Sequence, residues 1–482
     1  MDKVRVRIAP APTGFLHVGT ARTALYNWLF AKNKGGEFLL RIEDTDVARS
    51  KHELVDAITE SLRWLGLDWD GSPHFQSERL GLYRKYAEEL VDKNLCYPCY
   101  CTREELTERR RRMVEEKVNG TYDRRCYYLS EAERHSRAKS VAPAMRFFVP
   151  EGRVSFPDRV HGFLARESKE IEDFIIIRSD GTPTYNLACV IDDHDMSITH
   201  VIRGEEHIAN TYKQLLLYKA LGWDPPEFIH LPLILGPDRS KLSKRHGALS
   251  VLEYRNLGFL PEAFTNFLAL LGWSPGDDRE ILSRDELIEL FSLDRAVKSG
   301  AVFDVKKLEW MNGEYISRMD NHSLLEAAIP FLKRSELITD QEARDRMEYL
   351  VKVVGILKER VKRLTDFERL GYYFFREDFD YDEKGVEKYF SEDGLVERLE
   401  LLRARLRELE DFSSEGVDTL YRRTAEELGI KAATIIHPTR LALTGMTVGP
   451  GLFELMEVLR EDVVVRRLTR AIEFVKDMKN SS

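Results

Sequence analysis

Two short strings carry most of the chemistry legible in this chain. His17-Val18-Gly19-Thr20 follows a strand-like stretch and a turn-rich loop, VRVRIAPAPTG, and opens the helical run ARTALYNWLF. Lys241-Leu242-Ser243-Lys244-Arg245 lies in a polar, glycine-flanked loop, LGPDRSKLSKRHG. An imidazole at the start of a helix stands beside free N–H groups and the positive end of the helix dipole, a setting that favours phosphate. Gly19 lets a ligand approach the backbone closely. Lysines on a loop able to close bring an ammonium to phosphoryl oxygens as charge builds there, which raises a rate instead of merely tightening binding. Singly, His17 is also read as a capping histidine and KLSKR as a solvated basic loop. Their pairing, in this order, points to nucleotide chemistry.

The elements that must position these strings follow an α/β rhythm. Residues 4–10 form an apolar strand, a helix follows over about 18–33, then the strand EFLLRIED and a helix over about 51–66. That order predicts a parallel sheet covered by helices. Ligands of such sheets bind at the carboxyl ends of the strands, where PAPTGFLHVG and EDTD fall. Neither GxGxxG nor GxxxxGK(S/T) occurs, so two common nucleotide signatures are excluded. From about 96 to 184 cysteines, an arginine-rich helix and short strands (AMRFFVP, DFIIIRSDG) interrupt the rhythm as an inserted domain would. It resumes with TYNLACVIDDH, SITHVIRGEEH, the helix NTYKQLLLYKALG and the strand FIHLPLIL. After Leu252 the apolar spacing is helical nearly throughout, as in PEAFTNFLALLGW and DELIELF.

A chain of 482 residues with 43% apolar content is long enough for about three domains with sizeable cores. No apolar run reaches the ~18–20 residues of a membrane span, and MDKVRVRIAP reads as a strand and not as a signal peptide. Five cysteines, an odd number, argue for a reducing compartment, and a cytoplasmic location is expected. The net charge of −9 is unusual for a nucleic-acid binder, whose phosphate contacts need cations. Basic clusters exist at 109–112, at Arg124 with Arg125, at 358–363 and at 403–407; each is also read as the solvated face of a charged helix. Cys99, Cys101 and Cys126, with Tyr122 four residues before the last, offer three thiolates and a fourth ligand for tetrahedral zinc, or else a metal-free cluster. Cys96 is spare.

The two opening strings resemble the ATP-handling motifs of class I aminoacyl-tRNA synthetases, usually written HIGH and KMSKS. Thr20 replaces the second histidine, and Leu242 and Arg245 replace Met and Ser, as in the glutamyl and glutaminyl branch. RIAPAPTG, RIEDTD, DGTPTYNLA, DDH, VIRGEEH and WMNGEYI are close to that branch's wording, so the chain resembles the bacterial-type glutamyl-tRNA synthetases from residue 4 to about 460. The resemblance implies a Rossmann-like catalytic domain split by an α+β insertion and followed by an all-α C-terminal anticodon-binding region. It divides the chain into catalytic halves at 1–95 and 185–250, an acceptor-binding insertion at 96–184, a stem-contact region at 251–312, and helical subdomains at 313–375 and 376–482.

Site residues follow from the same resemblance. His17, Lys241 and Lys244 are the expected catalytic groups, with Gly19, Thr20, Glu206, His207 and Lys244 around ATP and its Mg2+. A buried glutamate carboxylate needs guanidinium partners. Arg7 and Arg203 match the family's readers of that carboxylate, and Arg203 favours glutamate over glutamine. Glu43 is matched to the substrate ammonium, with Tyr185 beside it; Ala11 and Cys189 stand where relatives have polar contacts. Asp46 faces the tRNA terminal adenosine, N-caps the next helix, or does both. Arg360 is matched to the third anticodon base, the alternative being a surface salt bridge. The structural zinc, where some relatives carry one, takes Cys99, Cys101, Tyr122 and Cys126, since Tyr128 replaces the histidine of another ligand set. The implied reaction joins L-glutamate to tRNA-Glu through glutamyl-adenylate, in a monomer. Alternatives are charging of tRNA-Gln and a catalytically silent RNA-binding paralogue.

Overall fold

The computed structural model describes residues 3–46, 50–115, 122–243, 245 and 249–480. They form two compact units, Met1–Tyr254 with Phe264–Asp304, and Arg255–Ala263 with Val305–Ser482.

In the first unit, strands β1 (Arg5–Ile8), β2 (Glu37–Ile42) and β3 (His74–Phe75) pair in parallel in that order. Helix α1 (Val18–Asn33) links the first two, and α2 (His52–Trp64) and α3 (Leu80–Asp92) flank the third. The run FLLRI of β2 is buried along its length, as a strand covered on both faces requires. Helix α1 is buried almost all round. Its small residues Ala21, Ala24 and Ala31 allow close packing, and its buried polar groups find backbone acceptors. Asn27 donates to the Ile202 carbonyl (3.0 Å) and Tyr26 to that of Ala269 (2.9 Å).

The second part of the sheet begins after α6 (Tyr185–Asp195), with β9 (His200–Gly204), α7 (Ile208–Leu221) and β10 (Glu227–Leu231). A hydrogen bond from the Thr199 N–H to the Arg5 carbonyl (2.9 Å) brings β9 alongside β1, and β9 pairs in parallel with β10. This is the doubly wound α/β arrangement anticipated from the rhythm of the sequence.

The interrupting segment contributes in two ways. Strands β4 (Cys96–Cys99), β5 (Ala144–Phe147) and β8 (Phe174–Ile177) form an antiparallel sheet of their own, with α4 (Arg103–Glu115) and α5 (Glu131–Ala138). The hairpin β6 (Arg153–Asp158) and β7 (Gly162–Glu167) instead joins the catalytic sheet, in the order β7-β6-β10-β9, through the pair Phe228–Asp158. Part of the insertion is thus built into the body that holds the site. Strand β11 (Ile234–Leu235), which leads into the KLSKR loop, pairs with β12 (Ala301–Val302).

The second unit is helical. Its core threads Leu324, Leu350, Leu399, Leu441, Leu455 and Leu468, all fully buried, from helices Asn321–Arg334, Met347–Leu357, Leu395–Arg407, Ala433–Thr444 and Leu452–Asn480. Helix Ala433–Thr444 ends on Gly445 at φ +72°, where a Cβ would stand 2.4 Å from the Asp380 carbonyl oxygen. Only glycine fits that end. Among the described residues no helix is long and apolar enough to cross a membrane.

Candidate active site and cysteine cluster

His17 occupies the N-cap of α1 with extended backbone, and its ring turns back on the helix. Nδ1 accepts from the Gly19 and Thr20 N–H groups at 3.1 and 3.3 Å. An accepting Nδ1 places the ring proton on Nε2, 3.0 Å from Thr20 Oγ1. His17 is therefore a capping histidine whose Nε2–H stays outside the cap, and the ring fills two of the amides a phosphate was expected to use. Burial lowers the imidazole's proton affinity, Glu206 opposes this, and Lys241 adds to it. A Cβ on Gly19 would lie 3.1 Å from His17 Cε1, so the glycine makes room for the ring.

Lys241 is exposed at the start of its loop, where its backbone bridges to Leu235. Arg245 donates to Ser240 Oγ at 2.9 Å and reaches Asp238 at 3.4 Å. Lys244 lies outside the described residues. Glu206 and His207 sit in the turn after β9. The Glu206 carboxylate folds over Gly204, where a Cβ would meet it at 2.2 Å.

Beside them lies a buried charge network. Arg7, on β1, makes a forked contact with Asp193 of α6: Nε to Oδ1 at 3.0 Å and Nη2 to Oδ2 at 3.2 Å. Its Nη1 has no hydrogen bond among the described residues. Arg41, on β2 and fully buried, shares Asp193 Oδ1 at 2.6 Å and donates to Glu43 at 3.2 Å. Against the penalty of burial, the two guanidinium charges hold the Asp193 carboxyl well below the usual range. Burial raises Glu43, with Arg41 and Arg7 opposing. The Cys189 thiol lies inside this network, 3.5 Å from Arg41 Nη2 and 3.4 Å from Asp193 Oδ2, and burial pushes it up to about 11. Ala11 is exposed, and its carbonyl accepts from Thr13 N–H at 2.8 Å.

Arg203, on β9, is 5% exposed and has no carboxylate within 4.0 Å among the described residues. Neutral groups hold it instead: Tyr185 Oη (3.1 Å), Thr211 Oγ1 (2.7 Å), Gln214 Oε1 (2.7 Å) and His230 Nε2 (3.3 Å). Those contacts use four of its five N–H donors, and one N–H of Nη1 remains. Tyr185 also reaches His207 Nδ1 at 3.3 Å, and burial followed by Arg203 lowers His207 to about 4. The site therefore contains a recessed cation braced by dipoles. Isolated buried charge is unfavourable, and a ligand carboxylate is the complement it lacks.

Asp46 follows β2, but the next helix begins at His52 with Lys51 at its N-cap and no side-chain cap. Asp46 is therefore not the N-cap of that helix. Arg360, in the second unit, is exposed and forms no ion pair among the described residues, unlike the surface salt bridge considered for it. Burial lowers Arg440, Tyr373 opposes this and the Arg360 charge adds to it; Arg440 Nη1 donates to the Pro450 carbonyl at 2.5 Å. Two of the four basic clusters are locally paired: Arg111 and Arg112 share Glu108, Arg109 and Arg125 share Asp123, and Arg124 pairs with Asp173.

In the insertion Cys99, Cys101 and Cys126 converge, their sulfur atoms all within 4.8 Å of one another. Cys101 and Cys126 lie 3.6 Å apart, and Tyr122 Oη reaches Cys99 at 3.5 Å and Cys101 at 3.4 Å. Zn–S bonds of about 2.3 Å at tetrahedral angles set sulfur atoms about 3.8 Å apart, so this donor set fits zinc. Arg146 stacks over the Tyr122 ring at 3.8 Å. Tyr128 is 72% exposed, and Cys96 is half-buried, its thiol pushed up by burial to about 12.

The chain matches the family model for the catalytic domain of class I tRNA synthetases (E and Q) over residues 3–310, and an anticodon-binding domain model over 323–472. It is 47% identical to glutamate–tRNA ligase 1 of Caldanaerobacter subterraneus subsp. tengcongensis, over 99% of both chains. The chain belongs to the glutamyl-tRNA synthetases. A glutamate–tRNA ligase of Moorella thermoacetica is also 47% identical over 99% of each chain. Among solved structures, a glutamate tRNA ligase from Elizabethkingia meningosepticum in complex with its amino acid superposes with a TM-score of 0.88 at 35% identity, covering 98% of this chain and 99% of that one. Synthetases of this class use ATP with Mg2+, and the split α/β catalytic domain followed by a helical region is the class I architecture expected from the sequence. Arg41, Asp193, Thr211, Gln214, His230 and Asp158 surround the expected residues and had no role assigned from sequence. A charged residue inside the apolar strand EFLLRI and a histidine inside EFIHL were the available signals.

Proposed function

We infer that the enzyme activates L-glutamate with ATP·Mg2+ and passes it to the terminal ribose of tRNA-Glu. A glutamate α-carboxylate oxygen attacks the α-phosphorus of ATP, a bond forms to that oxygen, and the bond to the β-phosphate bridging oxygen breaks as pyrophosphate leaves. A ribose hydroxyl then attacks the acyl carbon and AMP departs. In this reading His17 Nε2–H and the ammonium groups of Lys241 and Lys244 receive the charge on the phosphoryl oxygens, with Gly19, Thr20, Glu206 and His207 around the nucleotide.

Arg7 and Arg203 take the side-chain carboxylate, Glu43 the ammonium, and Tyr185 lines the pocket. The observation that carries this assignment is Arg203: a buried guanidinium that, among the described residues, has no anion and is held by neutral acceptors. Glutamine leaves that charge unmatched, a penalty of the kind that gives strong discrimination. Asp46 is assigned to the tRNA terminal adenosine and Arg360 to the anticodon, with residues 96–184 gripping the acceptor end, 251–312 the stem, and 313–375 with 376–482 the anticodon arm. The chain is expected to act as a monomer in the cytoplasm. Charging with labelled glutamate or glutamine on tRNA-Glu and tRNA-Gln transcripts tests the substrate assignment. Glutamyl-tRNA-Glu is the expected product, and preferential charging with glutamine contradicts it.

Cys99, Cys101, Cys126 and Tyr122 are the ligands we assign to one structural zinc. When bound, the ion supplies a cross-link within a small polar insert. Purified protein is expected to carry about one zinc per chain, and Cys126→Ser to lose it while glutamate activation survives better than tRNA affinity. Metal analysis with separate KM values for glutamate and tRNA checks this; wild-type protein purified without zinc contradicts it.

A further inference from the structure

Behind the substrate pocket lies a buried polar line, Asp158, His230 and Arg203, of which only Arg203 is expected to touch the substrate. Strand register creates it. Within β10, Phe228 pairs with Asp158 of β6, and His230 pairs with Arg203 of β9. The side chains of both Asp158 and His230 are fully buried. Asp158 Oδ2 accepts from the His230 backbone N–H (3.1 Å) and from Nδ1–H (2.7 Å). Its Oδ1 accepts from the Val160 and His161 N–H groups at 2.9 and 2.8 Å.

Four donors on one carboxylate leave no place for a donor of its own, and they fix the His230 proton on Nδ1. Nε2 is then a lone pair, facing Arg203 Nε at 3.3 Å and Thr211 Oγ1 at 3.0 Å. We propose that Asp158 and His230 are positioning residues for amino-acid specificity, holding Arg203 through a fixed histidine tautomer so that its remaining N–H meets the substrate's side-chain carboxylate. With the tautomer reversed, Nε2–H opposes Nε–H, and the guanidinium must turn away. Since β6 belongs to the interrupting segment, that segment supplies part of the specificity apparatus. The inference rests on the reading of Arg203 given above.

Asp158→Asn forces the issue. An amide must present its NH2 group either to two backbone N–H donors or to His230 Nδ1, driving the ring proton to Nε2. Full-length enzyme carrying Asp158→Asn, His230→Leu, His230→Gln, Arg203→Gln, or Asp158→Asn with Arg203→Gln is compared in tRNA-Glu charging. KM for glutamate is expected to rise about tenfold or more in Asp158→Asn and His230→Leu, with kcat and KM for ATP changed less than about threefold. His230→Gln, whose carbonyl can accept near the Nε2 position, should recover most of the loss. Asp158→Asn should add nothing once Arg203 is replaced. Variants that lose only melting temperature or active fraction, with glutamate KM unchanged, overturn the proposal, as does full additivity with Arg203→Gln. Where Asp158→Asn fails to fold, the His230→Gln and His230→Leu comparison decides alone, and equal KM values for those two overturn it. An unchanged KM in Arg203→Gln sinks the pocket reading itself; a raised one, with wild-type values in the Asp158 and His230 variants, sinks only this inference.

Discussion

Arg203→Gln is expected to raise the KM for glutamate by about 10²- to 10³-fold, because a desolvated charge pair with a substrate carboxylate is worth roughly 3–5 kcal/mol when one partner is removed. KM for ATP and for tRNA should stay near the wild-type values. Stability should move little or improve, since the unliganded enzyme loses a buried cation that no carboxylate among the described residues neutralises. Discrimination against glutamine should fall in parallel, since the penalty for an uncharged amide disappears with the charge. This combination separates a recognition residue from a structural one. Steady-state charging with both amino acids and a thermal melt read it out; a variant that melts early with glutamate KM unchanged contradicts it.

The second large effect is expected at Asp193. Its carboxylate is shared by Arg7 and Arg41, which have 3% and no exposure respectively. In Asp193→Asn both guanidinium groups lose their common anion, and among the described residues Arg41 keeps Glu43 at 3.2 Å and Asp192 at 3.8 Å. Breaking such a buried pair destabilises by about 3–5 kcal/mol, so the melting transition of the first unit should fall by several degrees. The pH dependence has a definite sign. Asp193 is depressed in the folded protein, so its stabilisation is fully present above the unfolded value of about 3.9 and is lost as pH falls through the lower folded value. Asp193→Asn should be less stable than wild type at neutral pH and lose less on acidification below about pH 4. Melts across that range check this; parallel curves for the two proteins contradict it.

Much of this was legible in the sequence. The strand, loop and helix around HVGT were readable from periodicity, and α1 runs over the expected residues. Arg7 and Arg203 were named because the family resemblance matches them to readers of the glutamate carboxylate. The environment of each was not legible, because it is assembled from strands and helices far apart in the chain. Asp193 meets Arg7 across α6 and β1, and no local spacing encodes that contact. Asp158 reaches β10 through a single paired residue, too little pairing to mark β6 as part of the catalytic sheet. The geometry of His17 was hidden for another reason: capping and chemistry were weighed as rivals, whereas capping uses Nδ1 and leaves the proton on Nε2.

The account stands most directly on glutamate-dependent exchange of labelled pyrophosphate into ATP, measured with purified full-length enzyme in the presence and absence of tRNA-Glu and tRNA-Gln. Exchange supported by glutamate, with glutamine at least about two orders of magnitude less effective in kcat/KM, is the predicted result. Exchange with glutamine in preference to glutamate, or none with either amino acid under any of these conditions, would contradict it.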